Sequence, residues 1–244
     1  MSRCPPVIFV HGFIGTLDVS GYAVPHMAPD LLGYGEYRDV HPDRISLPAQ
    51  VEHLRELIDA RYGDVAVDLV GHSVGGAIAM LFAATHPDRV RRIVNVEGNF
   101  TLADAFWSAS VGRMTDSEAT AMLAGFKAAP LQWLRGAIPD AAPDKEGLAE
   151  RWLAHQPAST LRAMGRSVVE ITGSENYPAL LRSVFERHLV HLLAGERTRQ
   201  DWNVPGWAVE CCAGMTVMPG CGHLMMVERP QEFSEIIAAW LAGA

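Results

Sequence analysis

The 244-residue chain lacks any apolar stretch of the ~18–20 residues that a membrane-spanning helix requires. Its opening, MSRCPPVIFVHG, has no apolar core followed by a small-residue cleavage site. The apolar run there is short, β-branched and ends in His-Gly, so it reads as a strand. A run of lysine and arginine is missing too, and a formal net charge of −8 argues against a nucleic-acid surface. That charge serves ordinary solubility. Only four cysteines occur, Cys4, Cys211, Cys212 and Cys221, with neither disulfide nor zinc spacing. Adjacent Cys211 and Cys212 are poorly placed to bond each other. Reduced thiols, a cytoplasmic location and no metal site are the resulting expectations. No internal repeat or low-complexity tract is present.

What the chain does have is a core. Apolar residues make up 49% of it, consistent with one globular domain of ~200–250 residues carrying an insertion. Its first half alternates short apolar runs with helical patterns, the mark of a parallel sheet built from β-α units. Strands are predicted at 6–12 and 65–71, with a weaker one at 23–30 and another at 90–98. Helices are predicted at 46–63 and 75–87. From 99 to 187 no strand-like run appears; prolines punctuate helical pieces, and Thr115 and Glu118 form a capping box. Strand character returns at 188–195 and 215–220, and a helix beginning at Pro230 closes the chain. The fold class is therefore α/β: a mostly parallel sheet of about six strands, flanked by helices, with an all-helical insertion.

The stretch DLVGHSVGG places Ser73 in Gly-x-Ser-x-Gly between a buried strand and a helix. That context makes the five-residue pattern informative. A sharp strand-to-helix turn needs small residues at 71 and 75, and it lifts the serine hydroxyl above the C-terminal edge of the sheet. A serine hydroxyl needs a base at neutral pH. Of ten histidines, His223 lies in the Gly-rich loop PGCGHLMMVERP between the last strand and the last helix, at the same sheet edge. His11 and His72 are better read as loop-bracing residues. The segment IVNVEGNF raises a separate question. Glu97 ends a buried strand, and a buried carboxylate needs a partner.

In this order, VIFVHGF, PDLLGYG, GHSVGG and GCGHLMMVERP resemble the α/β-hydrolase fold superfamily. The resemblance covers residues 6–98 and 188–241, and it makes the 99–187 insertion the counterpart of that superfamily's helical cap. The resulting domain division is 1–98 with 188–244 as core and 99–187 as cap. It also implies that the backbone amides of Phe13 and Val74 form an oxyanion hole. The sequence departs from the superfamily in two places: the usual first two strands have no counterpart, and little room is left between Gly12 and Asp30 for the usual first helix.

The superfamily's usual acid position, after the strand at 188–195, is here Thr198, which cannot carry the charge. Glu196 and Asp201 are nearby candidates. Some superfamily members place the acid after the strand that follows the nucleophile, and Glu97 occupies that position. Glu97 is the favoured third member of a Ser73–His223–Glu97 triad, with Asp201 the main rival.

The resemblance implies acyl transfer to water, with no cofactor: a serine esterase, lactonase or thioesterase. Phe106, Trp107 and Met114, on a helix past Glu97, with Trp133, would line the site for a hydrophobic small molecule. Carbon–carbon bond hydrolysis or lyase chemistry on the same triad is one alternative; a ligand-binding protein with little turnover is another. Whether the chain forms a homodimer is left open.

Overall fold

The computed structural model describes residues 5–17, 19 and 22–242. Six strands form a single sheet: β1 (Val7–Val10), β2 (His26–Met27), β3 (Val67–His72), β4 (Val90–Val96), β5 (Leu189–Gly195) and β6 (Gly214–Met218). Their order is β2-β1-β3-β4-β5-β6, and every neighbouring pair is parallel. All C-terminal strand ends therefore share one edge. The chain runs outward from β1 to β2 and then returns to β3 on the other side, so the order reverses between β1 and β3. Open α/β sheets bind ligands at such a reversal. The strand expected at 23–30 shrinks to two residues. Pro25 and Pro29 lack the N–H that a ladder needs, and this strand lies at the sheet edge, where so short a pairing suffices.

Both faces of the sheet are covered. On one, α1 (Leu47–Tyr62) and α2 (Val74–Thr85) pack together over Ile8, Val10, Leu69 and Ile93. Helix α1 starts where the Ser46 hydroxyl accepts from the Ala49 amide, and Pro48 sits in its first turn. Leu47, Val51, Leu54 and Ile58 recur at helical spacing and are all buried.

The segment after β4 carries α3 (Phe106–Arg113), α4 (Asp116–Ala128), α5 (Pro130–Arg135), α6 (Glu146–Ala154), α7 (Ala158–Thr172) and α8 (Tyr177–Arg187), with no strand among its described residues. Thr115 and Glu118 form the expected capping box at α4. Helix α3 packs on α7, whereas α8 turns back against α2, where Leu181 and Val184 join the core. Three helices complete the chain: α9 (Gly206–Cys211), α10 (Met225–Glu228) and α11 (Pro230–Ala242). Phe233, Ile237 and Leu241 of α11 cover the second face of the sheet over Val7, Phe9, Val70 and Val94.

Cys211, Cys212 and Cys221 are free thiols, while Cys4 lies outside the described residues. No helix among the described residues is long and apolar enough to cross a membrane.

Candidate active site

Ser73 sits between β3 and α2 with φ 54° and ψ −124°, a conformation that costs a non-glycine residue about 1–3 kcal/mol. The surrounding backbone holds it there. The Ser73 amide donates to the Val96 carbonyl at 3.0 Å, and the Ser73 carbonyl accepts from Gly76 at 2.8 Å. A Cβ on Gly75 would lie 2.2 Å from the Val10 carbonyl oxygen, and one on Gly71 would lie 2.4 Å from the Gly75 carbonyl oxygen. The two flanking glycines are thus a steric requirement of the turn. Val74 opens α2, where first-turn amides have no partner within the helix and the helix dipole favours negative charge.

His223 lies in the loop between β6 and α10, and its Nδ1 is 2.6 Å from Glu97 Oε2. Glu97 immediately follows β4, next to the strand that carries Ser73, and it too has a positive φ of 43°. Its other oxygen, Oε1, accepts from the Gly195 amide at 2.8 Å and from the Thr198 hydroxyl at 2.6 Å. The carboxylate is almost wholly buried. Burial alone would raise its pKa, but the hydrogen bonds and charge from His223, with those from Thr198 and Gly195, outweigh it and hold the pKa below the ordinary glutamate value. The carboxylate is therefore kept charged beside the imidazole.

The rival acids do other things. Asp201 is exposed at the cavity rim, and its amide donates to the Thr198 carbonyl. Glu196 accepts from the Gly220 amide at 2.8 Å and so braces the loop that carries His223. Arg197 reaches the Gly220 carbonyl of the same loop and the Glu228 carboxylate at the end of α10. Thr198 had no assigned part, yet it fills the vacant acid position with a donor aimed at Glu97. Its presence exactly where a carboxylate was expected was the available signal.

His72 and His11 hold loops. His72 Nε2 donates to the His223 carbonyl at 2.9 Å, and burial pushes its pKa well down, so the ring is neutral. In His11, Nδ1 donates to the Gly12 carbonyl while Nε2 accepts from Leu31; burial lowers its pKa to about 4.

Above this edge opens a cavity of about 650 Å³, lined by Ser73, Glu97, His223 and Phe13 together with Trp107, Trp133 and other aromatic side chains. The Phe13 ring meets Trp107 edge-on at 5.3 Å, and Tyr34 donates its hydroxyl to the Phe13 carbonyl, which fixes the loop after β1. Phe106 also lines the cavity, at its mouth, with 72% of its surface exposed. Met114 departs from the expectation: it caps the end of α3, outside the cavity lining, where its carbonyl accepts from Arg162. The Met114 side chain packs instead against the hydrophobic core. Trp152, Trp202 and Asn99 line the cavity without having been singled out. Besides Glu97, two carboxylates, Asp104 and Asp201, stand among its lining residues, while none of the described ones is lysine or arginine.

Replacing Thr198 by valine removes one donor from a buried carboxylate. A hydrogen bond to a charged group is worth about 1.5–3 kcal/mol, so Thr198→Val should lower kcat by roughly tenfold. Because the lost bond helped keep Glu97 ionised, the acidic limb of the kcat–pH profile should move to higher pH. An unchanged profile would remove Thr198 from the site.

The chain belongs to the Alpha/beta hydrolase family, whose profile it matches over residues 7–236. It is 28% identical over 238 residues to the 2-hydroxymuconate semialdehyde hydrolase of Pseudomonas sp. (strain CF600), covering 89% of this chain and 76% of that protein. A shorter match, 43% identical over 101 residues, is to the 2-hydroxy-6-oxo-2,4-heptadienoate hydrolase of Pseudomonas putida; it spans 36% of each chain. An sn-1-specific diacylglycerol lipase of Mus musculus is 24% identical over 272 residues, covering 98% of this chain and 81% of the lipase. Among solved structures, MenH from S. aureus superposes with a TM-score of 0.73 at 18% identity, over 99% of this chain and 95% of that one. The sequence thus places the chain in this family, and the superposition shows the shared fold.

Proposed function

We propose that the protein is a serine hydrolase that cleaves an ester, lactone or thioester bond of an uncharged, hydrophobic small molecule. Ser73 Oγ attacks the carbonyl carbon and transfers its proton to His223 Nε2, the ring nitrogen left free by the Nδ1–Glu97 bond. The carbonyl oxygen becomes an oxyanion, which the Val74 and Phe13 amides stabilise by about 2.7–4 kcal/mol each. His223 then protonates the leaving alcohol or thiol as its bond to carbon breaks. In the second half, His223 takes a proton from water, the resulting hydroxide attacks the acyl-enzyme, and Ser73 leaves with its proton restored. Throughout, Glu97 orients the imidazole and balances its positive charge. The segment 99–187 acts as a cap that selects the substrate.

The observation that carries the choice of substrate is the charge of the cavity. Two of the relatives are named for hydrolysing a dienoate or a muconate semialdehyde, substrates that keep a carboxylate. A carboxylate held in an apolar cavity needs a cation. Here the described lining residues supply three carboxylates, Glu97 of the proposed triad with Asp104 and Asp201, and neither lysine nor arginine. A neutral ester suits that environment better, in line with the lipase relative.

The test is a substrate panel. Neutral 4-nitrophenyl and thiophenyl esters, a medium-ring lactone and a 6-oxo-dienoate are compared by kcat/KM. The expected order puts the neutral esters at least about a hundredfold ahead of the dienoate, the effect of one unpaired buried charge. A dienoate preferred over every ester would transfer the reading to carbon–carbon hydrolysis. Absence of both turnover and fluorophosphonate labelling would favour a binding protein.

A further inference from the structure

Asn99 lines the cavity two residues past Glu97, and its setting is unusual. The backbone around it is pinned. Tyr177 donates its hydroxyl to the Asn99 carbonyl at 2.8 Å, Trp202 donates its indole N–H to the Gly98 carbonyl at 2.8 Å, and the Gly98 amide donates to Asn95 Oδ1 at 2.7 Å. The residue is only 3% exposed, yet its side-chain Oδ1 has no hydrogen-bond partner. Burying an amide oxygen without a partner costs folding free energy, and native structures leave few such atoms. Asn99 also stands in the cavity lining, beside the aromatic side chains of Trp107, Trp133 and Trp202.

We propose that Asn99 is a specificity-determining residue whose amide pairs with a hydroxyl group on the substrate. This rests on the ester-hydrolase reading above and narrows it to hydroxylated, uncharged esters. A hydroxyl is the matching partner because it both donates and accepts, so it satisfies the amide whichever way the oxygen and nitrogen are turned. The pinned backbone holds the amide in place before the substrate arrives, which lowers the ordering cost of the contact. Its position also matters. Ser73 ends β3, and Asn99 follows the adjacent strand β4, on the opposite side of the nucleophile from the Phe13 loop that follows β1. The hydroxyl recognised by Asn99 therefore lies on the β4 side of the scissile carbonyl. In an aromatic cavity that would otherwise accept many apolar esters, one such contact sets which substrate is aligned for attack.

The experiment compares pairs of esters that differ by one hydroxyl. On the acyl side, 4-nitrophenyl butyrate is set against its 3-hydroxy and 4-hydroxy derivatives; on the alcohol side, propyl butyrate is set against 3-hydroxypropyl butyrate. In the wild-type protein one of the two series should favour the hydroxylated ester by about tenfold in kcat/KM, the worth of one hydrogen bond to an otherwise unpaired buried group. In Asn99→Leu, which keeps the side-chain size, that ratio should fall to about one. The series that responds tells which half of the substrate lies on the β4 side. No preference in either series, or a preference that survives Asn99→Leu, overturns the proposal. Where Asn99→Leu does not fold, the same ratio is read in Asn99→Ala, and a preference that survives there also overturns the proposal. If the wild type turns over none of these esters, the hydrolase reading fails separately, and thermal-shift affinities of Ser73→Ala protein for the same pairs carry the test of Asn99.

Discussion

Ser73→Ala should lower kcat on a neutral aryl ester by about 10⁴–10⁶-fold and abolish fluorophosphonate labelling, with the thermal melt essentially unchanged. The loss is large because, in the proposed mechanism, the Ser73 hydroxyl forms the acyl-enzyme. Stability holds because alanine occupies the same strained conformation as serine, and the residue faces the cavity. Ser73→Gly separates chemistry from strain. Glycine adopts φ near 54° freely, so this variant should be equally inactive yet more stable by about 1 kcal/mol or more. If Ser73→Ala kept most of its activity, Ser73 would not be the nucleophile and the proposed mechanism would fall.

Glu97→Gln should lower kcat by about 10⁴-fold, with the protein still folded. The glutamine keeps the shape and can still accept from Gly195 and Thr198. It loses the charge that balances an imidazolium, and its amide N–H₂ facing His223 Nδ1 would force the proton onto Nε2, the nitrogen needed as base. Asp201→Asn, by contrast, should change kcat by less than about threefold, because that side chain lies at the exposed rim. Steady-state kinetics on the two variants with one ester checks both claims, and the reverse outcome would transfer the acid to Asp201. A stability effect accompanies the first variant. The Glu97 pKa in the folded protein is depressed, so its ionised form stabilises the fold above the pKa of an unfolded glutamate. That contribution is lost as pH falls through the depressed value.

Much of the fold could be read from the sequence because its signals are local. A buried parallel strand such as VIFV is a continuous apolar run, and α1 announces itself by Ser46, Pro48 and Gly63 at its ends. Ser73 was legible for the same reason, since its turn imposes glycines at fixed spacing. Glu97 was legible only indirectly, through a charge that a buried strand could not leave unpaired and through the threonine standing where an aspartate was expected. What could not be read depended on distant parts of the chain. Thr198 donates across 101 residues of sequence to Glu97, and Asn99 looks like an ordinary loop residue until its missing partner is seen. Met114 ends α3 against the core and outside the cavity lining, and β2 pairs over only two residues, because an apolar run says nothing about which of its residues find a partner.

The acid's position on β4 has a consequence for how this protein can change. Ser73 and Glu97 end two adjacent strands whose register pairs His72 with Val96, so the distance between them is set by the central ladder itself. The loop after β5 owes this arrangement only the Gly195 amide and the Thr198 hydroxyl. Beyond Thr198, the stretch through Asp201 borders the cavity without holding any member of the proposed triad, and only at Trp202, which donates to the Gly98 carbonyl, does the loop touch the β4 end again. Insertions, deletions or exchanges there can reshape the entrance and drift independently of the chemistry. In a protein with its acid on that loop, each such change would also move a catalytic group. The relocation of one carboxylate thus makes substrate range an evolvable property, separable from the capacity to hydrolyse.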